Sequence, residues 1–351
     1  MTNTKIRVLI VDDSAVIRHL LTEILNQAGD IEVVGTAHDP IFAAHKIKAL
    51  SPDVITLDIE MPRMDGLAFL EELMKTDPIP VIMVSGLTQK GCETTIKALE
   101  LGAVDYVPKP RIDISSGVVN LADEIIKKVR IASKAKVRKI QKQILDLKSL
   151  YSQLQIHRSE LKTTTDKIIA IGASTGGTQA ISGIITALPE STPGIVIAQH
   201  MPPLFISAFA GRLNSISGFD VKEARAGDRV LRGTVLIAPG DEHMTIRRNG
   251  ALYYTEIKYG PLVNFVRPSI DVLFSAVAKY AGKNAIGIIL TGMGEDGAKG
   301  LLEMKEAGAF TIAQDEDSSI VFGMPRKAIE LNAVNKIASL TDIPRIILEH
   351  I

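Results

Sequence analysis

Short apolar runs alternate with amphipathic stretches over residues 1–125, a rhythm that predicts βαβ units built around a parallel sheet. The runs are Ile6–Val11, Glu32–Thr36, Val54–Leu57, Val81–Val84 and Val104–Val107. Apolar positions at helical spacing fall between them, near 15–28, 40–50, 66–75 and 91–101, and a fifth helix begins near Val119. Five strands alternating with five helices make a small doubly wound α/β domain.

The pattern changes over residues 126–164, which hold no proline or glycine. Between Lys127 and Lys148 nine Lys/Arg face a single acid, Asp146. Val137, Ile140, Ile144, Leu147, Tyr151 and Leu154 recur three or four apart, predicting a basic helical linker with an apolar seam and not a flexible tether. The seam spans about 2.5 heptads, short of the three to four that argue for a stable coiled coil. Two readings stay open. The fifth helix runs on as one long helix that self-associates weakly or packs along the domain interface, or the stretch is a solvated, partly frayed basic helix. Its basic face suits an acidic partner or a membrane surface equally well.

Residues 165–351 return to the α/β rhythm, with strands expected at Ile168–Ile171, Ile195–Ala198, Val235–Ala238, Ala285–Leu290 and Thr311–Ala313. Met244–Arg248 and Leu252–Glu256 flank Asn249-Gly250, the pair favoured in type I′ turns, so one antiparallel hairpin interrupts a mostly parallel sheet.

The chain of 351 residues is long enough for two cores, and 46% hydrophobic with 23% charged residues is a globular composition. Forty basic residues balance 40 acidic ones, so no global charge argues for nucleic acid or a membrane. Cys92 is the sole cysteine, which excludes an internal disulfide and suits a reducing compartment. The opening apolar run meets Asp12 and Asp13 too soon for a signal peptide, and no later run reaches the ~18 residues of a membrane span. A cytoplasmic location is expected.

Ligands bind open α/β sheets where strands end and their loops part. In the first domain Asp12 and Asp13 follow the first strand, Asp58 the third, Ser85 the fourth and Lys109 the fifth. Three clustered carboxylates repel by ~4 kcal/mol per pair at 4 Å and an effective dielectric of 20, so a divalent cation, Lys109 or a proton must offset them. Mg²⁺ on Asp13 and Asp58 would neutralise an incoming phosphoryl group and leave an Asp58 oxygen free to attack it. Ser85 and Lys109 would hold the phosphoryl oxygens, and Tyr106 would report the switched state through its rotamer. Any one acid at a strand end is ordinarily a solvated loop residue; five complementary residues gathered from four strand ends are not.

In the last domain the first strand runs into Gly172-Ala173-Ser174-Thr175-Gly176-Gly177, the G-x-S-x-G spacing of a nucleophile elbow. A glycine-rich strand-to-helix turn cradles phosphate as readily. His200 after the next strand, and Asp296 in the glycine-rich loop 291–297, break the tie. Ser174 would attack, His200 would take its proton and Asp296 would hold the imidazolium. A Ser–Asp–His order through Asp241 and His243 is disfavoured, because that pair opens a hairpin strand. Arg267 either binds a substrate carboxylate or ties down its loop. Cys92 is expected to be inert packing, and His19, His38, His45 and His157 show no ligand spacing.

Val-Asp-Asp-Ser (11–14), Asp-Ile-Glu-Met-Pro-Arg-Met-Asp-Gly (58–66), Val-Ser-Gly (84–86) and Tyr-Val-Pro-Lys-Pro (106–110) make the first domain resemble the response-regulator receivers. That resemblance implies a flavodoxin-like (βα)5 fold with Asp58 as phosphoacceptor. It also implies Asp12, Asp13 and the Glu60 carbonyl around Mg²⁺, and a histidine kinase as phosphodonor. In such domains Lys109-Pro110 is often a cis bond. Gly-Ala-Ser-Thr-Gly-Gly, Gln-His-Met-Pro-Pro (199–203), Ile-Ala-Pro-Gly-Asp-Glu-His (237–243), Arg-Pro-Ser-Ile-Asp-Val-Leu-Phe (267–274), Thr-Gly-Met-Gly-Glu-Asp-Gly and Val-Phe-Gly-Met-Pro (321–325) make residues from about 166 to 345 resemble the chemotaxis protein-glutamate methylesterases. The family reading implies a Ser174–His200–Asp296 triad, the Met293 N–H as oxyanion donor and Thr175 as an auxiliary polar group, without a cofactor in this domain. The implied substrates are glutamate methyl esters, and specific glutamines, on the helical cytoplasmic region of chemoreceptors. The unphosphorylated receiver is expected to lie over the Ser174 edge and limit access. A DNA-binding output would need a compact helix-turn-helix with a basic recognition helix, where the chain offers parallel strands and scattered charge.

Overall fold

Residues 5–61, 65–110, 118–137 and 167–351 are described by the structure, a computed structural model. The chain divides into two compact units, Met1–Gln143 and Ile144–Ile351.

In the first unit β1 (Ile6–Val11), β2 (Ile31–Ala37), β3 (Val54–Asp58), β4 (Val81–Ser85) and β5 (Asp105–Pro108) form one sheet in the order β2-β1-β3-β4-β5. Every pairing is parallel. The central strands β3 and β4 are buried on both faces, which is why they read as continuous apolar runs without alternation. The helices α1 (Ala15–Asn26), α2 (Pro40–Leu50), α3 (Gly66–Thr76) and α4 (Gln89–Glu100) begin at polar caps. Ser14, Asp39, Asp65 and Thr88 each accept a backbone N–H of the first turn.

The fifth helix, α5 (Val118–Ala132), does not run on as one long helix. Lys134 N and Ala135 N bond back to the carbonyls of Ile131 and Ala132, a three-residue reach that tightens the chain out of the α-helical ladder. Ser133 Oγ meanwhile donates to Arg130 O. The first of the two linker readings, one long helix, is therefore corrected at Ala132, and seam residues 140–154, on which the second falls, lie outside the described residues.

The second unit is built on a seven-stranded sheet: β6 (Ile168–Ala173), β7 (Gly194–Gln199), β8 (Asp220–Glu223), β9 (Thr234–Ile237), β12 (Ala285–Ile289), β13 (Phe310–Gln314) and β14 (Lys336–Ala338). Its order is β14-β13-β12-β6-β7-β9-β8 with every pair parallel. The hairpin β10 (His243–Asn249) and β11 (Leu252–Lys258) forms a separate antiparallel pair. Around the sheet lie α6 (Gly177–Ala187), α7 (Pro203–Ile216), α8 (Ile270–Tyr280), α9 (Ala298–Glu306), α10 (Met324–Glu330) and α11 (Ile343–Glu349). Ile270, Leu273, Phe274 and Val277 of α8 enter the same buried core as Ile168, Val196, Leu236 and Ile289 of the sheet and Met244 of the hairpin. That packing fixes the start of α8 near the carboxyl ends of the central strands. No helix among the described residues is long and apolar enough to cross a membrane.

Candidate functional site

Ser174 stands where β6 gives way to α6. Its N–H donates to Thr291 O at 3.1 Å, and its carbonyl accepts from Gly177 N at 2.7 Å, so the loop after β12 holds the turn that opens α6. A Cβ on Gly292 would stand 2.4 Å from Met324 Sδ and 2.8 Å from Ser174 Cβ, so only glycine permits this approach. Ala173 is in register with Gln199 across β6 and β7, and His200 N donates to Ala173 O at 3.2 Å. Ser174 and His200 thus extend side by side from strands ~4.8 Å apart. Gln199 ties them together, its Nε2 donating to Ser174 O at 2.9 Å and to His200 O at 3.3 Å.

On the other flank of β6, the loop after β12 brings Asp296 to His200, with Nε2 2.8 Å from Oδ2. The carboxylate is buried at the N-terminus of α8. Oδ2 also accepts Ile270 N at 2.6 Å. Oδ1 accepts Asn264 Nδ2 and Ser269 Oγ at 2.7 Å each, and Asp271 N at 3.4 Å. Burial pushes the Asp296 pKa up, but the bond and charge of His200, then Ser269 and Asn264, outweigh it and leave the acid below its usual range. An ionised acceptor facing Nε2 puts the imidazole proton there and leaves the lone pair on Nδ1.

Among the described residues the Ser174 hydroxyl has no hydrogen bond, so the acid–imidazole half of the relay is formed and the serine–imidazole half is not. Unliganded relays are commonly loose at this link. The Met293 N–H is also without a partner among the described residues and lies two residues from Thr291, the acceptor of Ser174 N. Thr175 is buried, with its carbonyl accepting Thr291 Oγ1 at 3.0 Å.

In the first unit Asp12, Asp13 and Asp58 each offer a carboxylate oxygen within 4.8 Å of the others. Asp12 and Asp58 are fully buried, and Asp13 is exposed. Lys109 Nζ lies 2.7 Å from Asp58 Oδ2, and Glu60 N donates to Asp58 Oδ1 at 3.2 Å. Burial, then the charge of Asp58, raises the Asp12 pKa to about 6. Burial likewise raises Asp58, although Lys109 draws it back. Asp12 Oδ1 takes Ser14 N at 2.8 Å, whereas Oδ2 is buried without a partner. An octahedral Mg²⁺ with ~2.1 Å bonds sets its oxygens ~3.0–4.2 Å apart, so the hard-oxygen cluster and its orphaned acceptor fit that ion. Ser85 is buried, its Oγ reaching the Gly86 and Gly91 carbonyls at 3.3 Å. Tyr106 is buried with the Lys128 ammonium 4.6 Å above its ring. Lys109-Pro110 is trans; among the described residues the cis bond is Arg267-Pro268.

Two family models match the chain: response regulator receiver domain over residues 8–115 and CheB methylesterase over 169–347. The chain belongs to the CheB methylesterase family. A protein-glutamate methylesterase/protein-glutamine glutaminase of Geobacter metallireducens is 54% identical over 347 residues, covering 98% of this chain and 96% of its own length. The Salmonella typhimurium protein of that name is 51% identical over 348 residues, covering 99% and 97%. The crystal structure of the Thermotoga maritima CheB methylesterase catalytic domain superimposes with a TM-score of 0.52 at 38% identity, covering 54% of this chain and 100% of that one.

Within this CheB methylesterase fold the alternative acid–base pair is committed elsewhere. His243 is buried, its Nε2 2.8 Å from Pro261 O and its Nδ1 accepting Ser269 N at 3.1 Å, so both ring nitrogens serve the backbone. Asp241 Oδ1 pairs with Arg267, 2.7 Å from Nη2. Arg267 also donates to Gly260 O at 2.5 Å and lies 3.9 Å from the Tyr259 ring, so it ties down its loop. Cys92 is buried and its thiol is raised by burial, as inert packing requires. Sequence reasoning assigned no role to Gln199, Asn264 or Ser269. A cap before the apolar run of α8 was readable at Ser269, but nothing local told that its hydroxyl also serves an acid 27 residues away.

Proposed function

We propose that this chain is a protein-glutamate methylesterase, with glutaminase activity toward selected glutamines, whose output is set by phosphoryl transfer to Asp58. The observation that carries the reading is the bond of His200 to the buried Asp296, beside the Ser174 turn at the centre of a parallel sheet. Ser174 Oγ attacks the γ-carbonyl of the ester, and His200 Nδ1 takes its proton while Nε2–H stays on Asp296. The Met293 N–H, supported by Thr175, meets the developing oxyanion. His200 returns the proton to the departing methoxide, and methanol leaves an acyl-serine. Water, deprotonated by the same imidazole, cleaves that ester to give glutamate and free Ser174. A glutamine side chain follows the same course with ammonia leaving.

The regulatory half of the proposal assigns residues 1–125 to a receiver and 165–351 to catalysis, joined by a linker over 126–164. Asp58 accepts the phosphoryl group from a histidine kinase. Lys109, already on Asp58, and Ser85 then bind its oxygens, with Tyr106 as the switch residue. Asp12, Asp13, Asp58 and the Glu60 carbonyl would hold Mg²⁺, which supplies charge neutralisation when bound. The substrates are chemoreceptors whose modified helices lie in the cytoplasm, and the chain is placed there with them.

Ser174→Ala and the parent chain are to be compared for methanol release from a methylated chemoreceptor fragment. The variant is expected to lose release by at least ~10³-fold. Release at the parent's rate would end the reading.

A further inference from the structure

The loop between the hairpin and α8 carries a feature that the hydrolytic machinery leaves unexplained. Val263 and Val266 exchange both backbone hydrogen bonds, Val263 N to Val266 O at 3.2 Å and Val266 N to Val263 O at 3.0 Å. They close a two-residue turn whose central residues, Asn264 and Phe265, both have positive φ, at 52° and 65°. Turns of this hand favour Asn-Gly, because the second position penalises a side chain. Asn fits the first position; a bulky aromatic at the second is unfavourable.

Phe265 is also 94% exposed, so the same side chain carries a backbone penalty and leaves its ring in water. Neighbouring Leu262 is 58% exposed. Tyr259, 75% exposed, at least lies against the Arg267 guanidinium. Folding gains nothing from Phe265 as it stands, and glycine would relieve both penalties. Strained residues persist where the surrounding structure holds them for use.

What holds this turn is the catalytic acid. Asn264 Nδ2 bridges Asp271 Oδ2 and Asp296 Oδ1 at 2.7 Å each, so one residue separates the exposed ring from the carboxylate that binds His200. Met293, 45% exposed, stands on the Asp296 loop itself.

We propose that Phe265 is a specificity-determining residue that packs on apolar side chains flanking the esterified glutamate of the protein substrate. The inference rests on the methylesterase reading above and names how that site selects a protein over a small ester. Contact with Phe265 adds binding for a macromolecule alone, since a small ester that fills the Ser174 site has nothing to offer the turn. Aromatic anchors of this kind carry a large share of recognition at protein interfaces.

The test uses the full chain, with Phe265→Gly and Phe265→Asn, both compatible with positive φ. Each is assayed on a methylated chemoreceptor fragment, by methanol release, and on a p-nitrophenyl ester. The ratio of kcat/KM for the fragment to that for the small ester is expected to fall at least ~10-fold in both variants, through KM. The Tm of Phe265→Gly should equal or exceed the parent's, an outcome that a merely structural role would reverse. An unchanged ratio overturns the inference, as does a parallel loss on both substrates, which would place Phe265 in the service of Asp296. A parent chain that cleaves the small ester but releases no methanol from the fragment sinks the methylesterase reading before either variant is made, and this inference with it.

Discussion

Replacing Asp296 by Asn tests the relay at its most constrained point. The amide must put one oxygen and one NH₂ where two carboxylate oxygens now accept five donors. If NH₂ takes the Oδ2 place, it faces Ile270 N–H, a backbone donor fixed 2.6 Å away at the start of α8. If NH₂ takes the Oδ1 place, it faces the Asp271 N–H only at 3.4 Å, the Asn264 amide, which keeps its bond to Asp271 Oδ2, and the Ser269 hydroxyl, which can accept. The second placement costs less. It leaves the amide oxygen on His200 Nε2–H and so preserves the tautomer that makes Nδ1 the base. What is lost is the charge on a hydrogen bond to a forming imidazolium, worth ~1.5–3 kcal/mol, and kcat should fall about 10- to 150-fold. A tautomer flip costs ~10⁴-fold in the Ser-His-Asp template. Methanol release under saturating receptor fragment measures the difference. A loss near 10⁴ would show that Ile270 N–H does not dictate the orientation, and a loss below about threefold would show that Asp296 does not serve His200.

Further outcomes follow from other groups. Asp58→Asn should abolish any rise in esterase rate on adding a small acyl phosphate, with the rate in its absence kept; a retained rise would remove Asp58 as acceptor. Metal ligands must be deprotonated, and an Asp12 pKa of about 6 makes apparent Mg²⁺ affinity fall ~10-fold from pH 7 to pH 5, measurable by calorimetry and absent in Asp12→Asn. Without metal the sign of the stability effect is opposite to that of a paired acid. The raised Asp12 pKa makes the folded receiver bind a proton more readily than the unfolded chain, so its stability should increase as pH falls from 6 toward 3.8. Gln199→Ala frees the Ser174 and His200 carbonyls from their shared donor and should lower kcat ~3- to 30-fold on small and protein substrates alike, without altering the fragment's KM.

The central strands were legible to within a residue or two, because burial on both faces leaves an uninterrupted apolar signature. The edge strands β8 and β14 were not: Asp220–Glu223 and Lys336–Ala338 alternate or end in charge and are short, as edges that avoid further pairing tend to be. The fifth helix was legible at its start, near Val118, but not at its end. Apolar spacing persists beyond Ala132, and the stop at Ser133 is a local hydrogen-bond competition with no signature in hydrophobic periodicity. For the sites the same division holds. Ser174, His200, Asp12, Asp58 and Lys109 each end a recognisable strand, and strand ends are where an open sheet gathers its chemistry. Asn264 has no such marker, and the place of Gln199 at the end of β7 does not tell its role, since the partners of both are chosen by tertiary packing.

The surroundings of Asp296 explain why the sheet alone does not make the relay. Neighbouring strand ends bring the serine turn, the imidazole and the acid loop close, yet a carboxylate there is buried and would rise in pKa and take up a proton. A protonated acid could donate to Nε2, stabilise the wrong tautomer and place a proton on Nδ1, facing the serine it must deprotonate. The bond and charge of His200 oppose this most strongly, and the donors that complete the effect come from outside the three strands. Ser269 and Ile270 supply the open end of α8, whose N–H groups and dipole favour the anion, and Asn264 supplies an amide from the preceding turn. α8 can present that end only because its apolar face packs into the core beneath the strands. The base assignment at His200 therefore depends on the burial of residues such as Phe274 and Leu273, which never approach the substrate.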